Sequence, residues 1–117
     1  MLFETFSFGL IKIDGVTYSH DVVIEHGTIR KRKKKPSKDL RDIYGHTPLS
    51  SKEEIPWKCC RLIVGTGMHA ALPVTEELKR DAKHRKVELV ILPTAQAIEA
   101  LKKEDLERTN AILHVTC

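Results

Sequence analysis

Gly65-Thr66-Gly67-Met68-His69 follows the apolar run Leu62-Ile63-Val64 and is the stretch of this chain best suited to hold a ligand. Two glycines one residue apart let a backbone turn tightly and approach a bound group with no Cβ in the way. The N–H groups of such a turn, placed at the carboxyl end of a strand, can capture a small anion. Extended to Ala70, the spacing also satisfies the dinucleotide fingerprint G-x-G-x-x-[G/A]. That fingerprint needs a helix opening from the turn and a carboxylate at the end of the next strand. Pro73 interferes with the first requirement, and Ile91-Leu92-Pro93-Thr94 lacks the second. No cofactor is therefore expected. Two readings of the turn remain: capture of a small anionic ligand, or close packing alone. His69 has a side chain suited to acid–base work, but no second positioned group is visible beside it.

Arg30-Lys31-Arg32-Lys33-Lys34-Lys35 places six cations in succession. On an extended strand, alternate side chains point to opposite faces, so at least one face is strongly positive. Such a run guards a sheet edge against pairing, stays in water through self-repulsion, or meets phosphate. The aromatics needed for base stacking are not interleaved with it, which disfavours nucleic acid.

The other chemistry-bearing residues are less well arranged. Cys59 and Cys60 are adjacent rather than spaced as zinc ligands, so no metal site is expected. His114 and Cys117 point apart on a regular strand and make a poor nucleophile pair. Glu53-Glu54 and Glu76-Glu77 read as first-turn helix charges.

These groups need a scaffold, and 117 residues supply one domain, spanning 1–117. Hydrophobic residues make up 41% and charged residues 31%, the balance of a soluble globular chain. There is no apolar run long enough for a membrane span. Three cysteines and no signal-like N-terminus point to a reducing, cytoplasmic location. The net charge is +4, yet residues 30–41 hold eight Lys/Arg against one Asp, so the remainder of the chain is negative.

The elements follow from pattern. Residues 8–13 and 16–24 read as strands joined by the Asp14-Gly15 turn, and Thr28-Ile29-Arg30 starts a third after His26-Gly27. From Pro36 to Pro48 the chain reads as irregular, and Ser50 or Ser51 starts a short helix that Pro56 stops. Strands at 60–64, 87–92 and 111–115 alternate with helices beginning at Thr75 and at Pro93-Thr94. The expected class is α/β, with an antiparallel N-terminal meander followed by a β-α-β-α-β parallel half.

The order of Phe8-Gly9, Ile13-Asp14-Gly15, Tyr18, Asp21-Val22-Val23-Ile24, Gly27, Val64-Gly65-Thr66-Gly67-Met68 and Leu113-His114-Val115-Thr116-Cys117 resembles the Mth-type family of small α/β domains. That family includes the animal adipogenesis-associated Mth-domain protein and a mitochondrial complex I assembly factor. The resemblance implies three layers around a mixed central sheet and no established enzymatic activity. Glu99-Ala100-Leu101-Lys102 stands where similar proteins often carry a Tyr-Asn pair, so a partner surface used in one branch does not transfer. The leading expectation is a non-catalytic binding or assembly module. Its candidate partners are another protein, a small anion or a second copy of this chain. The alternatives are an enzyme acting on an anionic metabolite at Gly65–His69, and weak nucleic-acid binding through Arg30–Lys35.

Overall fold

A computed structural model describes residues 1–117. Eight strands and three α-helices form two sheets. β1 (Phe3–Ser7), β2 (Leu10–Ile13) and β3 (Val16–Tyr18) make a three-stranded antiparallel sheet. β4 (Val22–Glu25), β5 (Thr28–Lys31), β6 (Arg61–Gly65), β7 (Glu88–Leu92) and β8 (Thr109–Leu113) make the central sheet, ordered β5-β4-β8-β6-β7. β6 runs parallel to both β7 and β8, while β4 is antiparallel to β5 and β8. The central sheet is therefore mixed, with the expected β-α-β-α-β half.

Strict alternation along the central strands feeds two cores. Val22, Ile24, Ile63, Ala111 and Leu113 face one side and pack with Ile11, Ile13 and the buried residues Ala97, Ile98 and Leu101 of α3 (Thr94–Leu101). Val23, Leu62, Val64 and Ile112 face the other and pack with Leu49, Leu72 and with Leu78 of α2 (Glu76–His84). Three layers result, and both helices bury the stripe that their spacing predicts. Thr75 caps α2, its side chain accepting from the Leu78 amide at 3.2 Å. β6 leads through α2 to β7 on one side, and β7 leads through α3 back to β8 on the other. Right-handed connections in opposite directions put the helices on opposite faces. A crevice then opens beyond the carboxyl ends of β6 and β8.

Several local expectations are corrected. Phe8-Gly9 is a hairpin turn rather than a strand start, because β1 precedes it and pairs with β2. The run 16–24 is two strands in different sheets: β3 pairs with β2, and β4 pairs with β8. The break lies at Ser19-His20-Asp21, where the Asp21 carboxylate accepts the Val115 amide at 2.9 Å and ties the chain to the end of β8. The stretch read as irregular holds a 3-10 helix, Lys35–Leu40, and a short α1 (Arg41–Tyr44), which ends at Gly45 with φ +76°. Pro36 at the start of the 3-10 helix is compatible with its first turn. The short helix expected after Ser50 does not form. Glu53 turns inward instead, to an ion pair. β8 ends at Leu113, so the tail 114–117 is not strand.

Candidate functional site

The glycine turn is anchored within the protein at every amide from Thr66 to His69. Thr66 donates to the Leu92 carbonyl (2.8 Å) and Gly67 to Thr94 Oγ1 (2.8 Å). Met68 donates to the Thr116 carbonyl (2.8 Å) and His69 to that of Cys117 (3.0 Å). An amide already bonded in this way has no proton left for an external anion. The glycines serve close packing. A Cβ on Gly65 would lie 2.9 Å from Thr94 Oγ1. One on Gly67, at φ +106°, would lie 2.5 Å from the Cys117 carbonyl oxygen and 2.8 Å from His114 Cδ2. The turn thus clamps the tail 114–117 in place, and Met68 and His69 carry exposed side chains outside the hollow described next.

That hollow, of about 320 Å³, lies over the carboxyl end of β8. Lys34, Lys38, Arg41 and His46 reach it from the segment after β5, and His114 and Thr116 from the tail. Arg32 also borders it, and no Asp or Glu lines it. None of Lys34, Lys38 and Arg41 takes part in an ion pair, and the three positive charges share one concave surface.

Arg32 differs from its neighbours in the basic run: only 4% of it is exposed. Its guanidinium makes a two-pronged pair with Glu53 (Nε–Oε1 and Nη2–Oε2, both 2.8 Å). Its other bonds go to Asp21 Oδ2 (2.9 Å) and the Pro48 carbonyl (3.0 Å). Ser37 Oγ donates to Glu53 Oε2 and meets Ser50 Oγ, each at 2.6 Å. Burial opposes the Arg32 charge, but the hydrogen bonds and charges of Glu53 and Asp21 outweigh it and raise the guanidinium above its usual value. Arg30 is also engaged: it donates to the Glu54 carbonyl at 2.9 Å and lies 3.8 Å from Glu25. Alternation sends Arg30 and Arg32 to the face covered by residues 50–56, leaving Lys31, Lys33, Lys34 and Lys35 exposed. The six-cation patch expected from the sequence is thereby split. Residues beyond it, Lys38 and Arg41, complete the charged hollow.

Asp21 sits beneath the hollow. Oδ2 meets His114 Nδ1 at 2.8 Å, and the imidazole Nε2 lies 3.1 Å from Thr116 Oγ1. Burial alone would raise the Asp21 pKa. The hydrogen bond and charge of His114, the Val115 amide and the Arg32 charge overcome it and lower the value to about 2. His114 is held through its backbone as well: its N–H donates to Gly65 and its C=O accepts from Thr94 Oγ1 at 2.6 Å. Sequence reasoning missed this cluster. Asp21 and His114 stand 93 positions apart, and the sequence pairs His114 with Cys117 rather than with Asp21, which it marks only as part of a strand motif. Of the thiols, burial pushes that of Cys59 up, which keeps it protonated, Cys60 is exposed away from the hollow, and Cys117 is exposed and borders it.

A family model described as "Protein of unknown function (DUF498/DUF598)" matches residues 3–114. The chain belongs to this family. Among solved structures, the domain is similar to a conserved hypothetical protein, PH1505 from Pyrococcus horikoshii OT3, with 32% identity over 100% of both chains and a TM-score of 0.85. It is also similar to the structure named MT938, with 26% identity over 99% of this chain and 98% of that one and a TM-score of 0.72. An outer membrane protein from Bartonella henselae shares the fold at 12% identity, a TM-score of 0.65 and coverage of 98% and 94%. No curated protein matches the sequence. No helix of the domain is long and apolar enough to cross a membrane.

Proposed function

We propose that this domain is a binding module whose ligand presents a compact anionic group, of the phosphate or carboxylate class, to the hollow between Lys34, Lys38, Arg41, His46 and His114. The supporting observation is the concentration of unpaired positive charge on one concave surface with no acidic residue in its lining. Like charges held together repel, and a multivalent anion relieves that repulsion. The position beyond the carboxyl ends of β6 and β8 is where open α/β sheets take ligands. The anion is either free or borne by a protein partner, and the resemblance to a family containing an assembly factor favours the second source. Nucleic acid is less well served, since Arg30 and Arg32 of the basic run are engaged internally.

Thermal melts at constant ionic strength test the reading. Inorganic phosphate or pyrophosphate raises the melting temperature of the wild type, as a ligand of the native state must. Lys38→Glu with Arg41→Glu removes the rise, while Lys31→Glu, outside the hollow, keeps it. An equal response in all three proteins, or none in the wild type, would overturn the proposal.

A further inference from the structure

We infer that Asp21, His114 and Thr116 form a nucleophile relay, and that Thr116 takes an acyl group from a carboxylic–phosphoric mixed anhydride, an acyl phosphate, whose phosphate lodges in the hollow. The inference rests on the anion-binding reading above and adds a reaction to it. The proton positions follow from hydrogen-bond chemistry. An ionised carboxylate only accepts, so Nδ1 of His114, 2.8 Å from Asp21 Oδ2, carries the proton. In the neutral ring Nε2 then holds the lone pair, and the Thr116 hydroxyl, 3.1 Å away, donates to it. Nucleophile bonded to base and base bonded to an acidic orienter is the arrangement that activates a hydroxyl.

The orienter and the base are held from behind. Asp21 is fixed by Arg32 and by the Val115 amide, and His114 by Gly65 and Thr94. A structural role for Asp21 accounts for its burial. It does not account for His114 and Thr116, the base and the nucleophile, both lining a hollow that Lys34, Lys38 and Arg41 also line. Thr116 also borders a second hollow of about 240 Å³ with Ser19, His20, Asp21 and Lys31.

The cations select the leaving group. Phosphate expelled from an acyl phosphate departs as an anion and needs positive charge, whereas the alkoxide of a simple ester would leave Lys34, Lys38 and Arg41 without a task. In the first step, Thr116 Oγ1 bonds to the acyl carbon while Nε2 takes its proton. The bond from that carbon to the phosphate oxygen breaks, and inorganic phosphate leaves with the Nε2 proton. Water then attacks the threonine ester. Nε2 takes one proton from the water and returns it to Oγ1, and the product departs as the carboxylic acid, which gives its remaining proton to solvent. The sum is hydrolysis of an acyl phosphate, with no oxidant or reductant consumed.

Acetyl phosphate is the probe, read by phosphate release and by mass spectrometry of the Thr116 peptide. The full chain is expected to release phosphate at least tenfold faster than Thr116→Val or His114→Gln, with Thr116→Ser restoring most of the rate. Asp21→Asn, a positioning change, is expected to alter the pH profile of release, because the ring loses its fixed tautomer. Equal release by wild type and Thr116→Val, or acetyl groups only on lysines or Cys117, would overturn the relay. Phosphate-dependent stabilisation without Thr116-dependent release leaves the anion site standing and the relay refuted. Loss of both refutes both. Melting curves of each variant separate chemical loss from unfolding, and a variant that does not fold is replaced by another that also lacks the reacting group, Thr116→Ala or His114→Asn.

Discussion

Arg32 and Glu53, 21 residues apart, meet as a fully enclosed two-pronged ion pair with both contacts at 2.8 Å and side-chain exposures of 2% and 3%. The pair pins the segment 46–57 onto the sheet edge at β5, and that segment carries Leu49 into the core. Leu49 is also joined to the loop before α2 by an isolated parallel bridge to Val74. One wall of the charged hollow therefore depends on an interaction that takes a cation out of the surface.

Glu53→Ala leaves Arg32 buried without its main partner. A loss of about 3–5 kcal/mol in urea unfolding is expected. The double variant Arg32→Met with Glu53→Leu should be less damaged than Glu53→Ala alone, because apolar replacements of similar size leave no charge uncompensated. A single variant within 1 kcal/mol of wild type, on the order of a surface change, would contradict this account.

Acid stability should carry the signature of Asp21. Its folded pKa, about 2, lies below the ordinary aspartate value of 3.8. Its contribution is therefore fully present above about pH 4 and is lost as pH falls through about 2, amounting to about 2 kcal/mol. Asp21→Asn should flatten the pH dependence of unfolding free energy across that interval. Parallel curves for the two proteins would show that the carboxylate is not held as described.

Two glycines at positive φ should respond differently to alanine. Gly67→Ala combines φ +106° with a Cβ driven against the Cys117 backbone, and a loss of about 2–4 kcal/mol is expected. Gly45→Ala meets open space at φ +76° and should cost about 1 kcal/mol, the strain of the left-handed conformation alone. Equal losses in thermal unfolding would argue against the clamp on the tail.

Thr75→Ala removes the acceptor for the Leu78 amide at the start of α2 and should cost about 1 kcal/mol, with Thr75→Ser or Thr75→Asp recovering most of it. Urea unfolding reads the effect, and the phosphate response of the hollow should be unchanged, since Thr75 does not line it.

Much of the scaffold could be read from local pattern. The strands read at 60–64, 87–92 and 111–115 and the Thr75 cap each depend on neighbours within one turn or one pleat. The strands expected at 60–64 and 87–92 and the helix beginning at Thr75 lie within one residue of the starts of β6, β7 and α2, while the strand expected at 111–115 forms two residues earlier as β8. The short helix after Ser50 was misread because Glu53 has the residue type and spacing of a first-turn charge. Its actual partner, Arg32, leaves no mark in a local window. The strand 16–24 was read as one for a similar reason: continuous β propensity cannot show that the chain changes sheets at Asp21.

Sequence alone determined the class of fold, the order of its parallel half and the presence of a dense cationic segment, since short-range periodicity and composition carry those properties. Tertiary structure decided which cations remain free, that the glycine turn holds the chain's own tail, and that Asp21, His114 and Thr116 come together. Hydrogen bonds and ion pairs between distant residues depend on how layers stack, and stacking brings into contact side chains whose spacing along the chain follows no period.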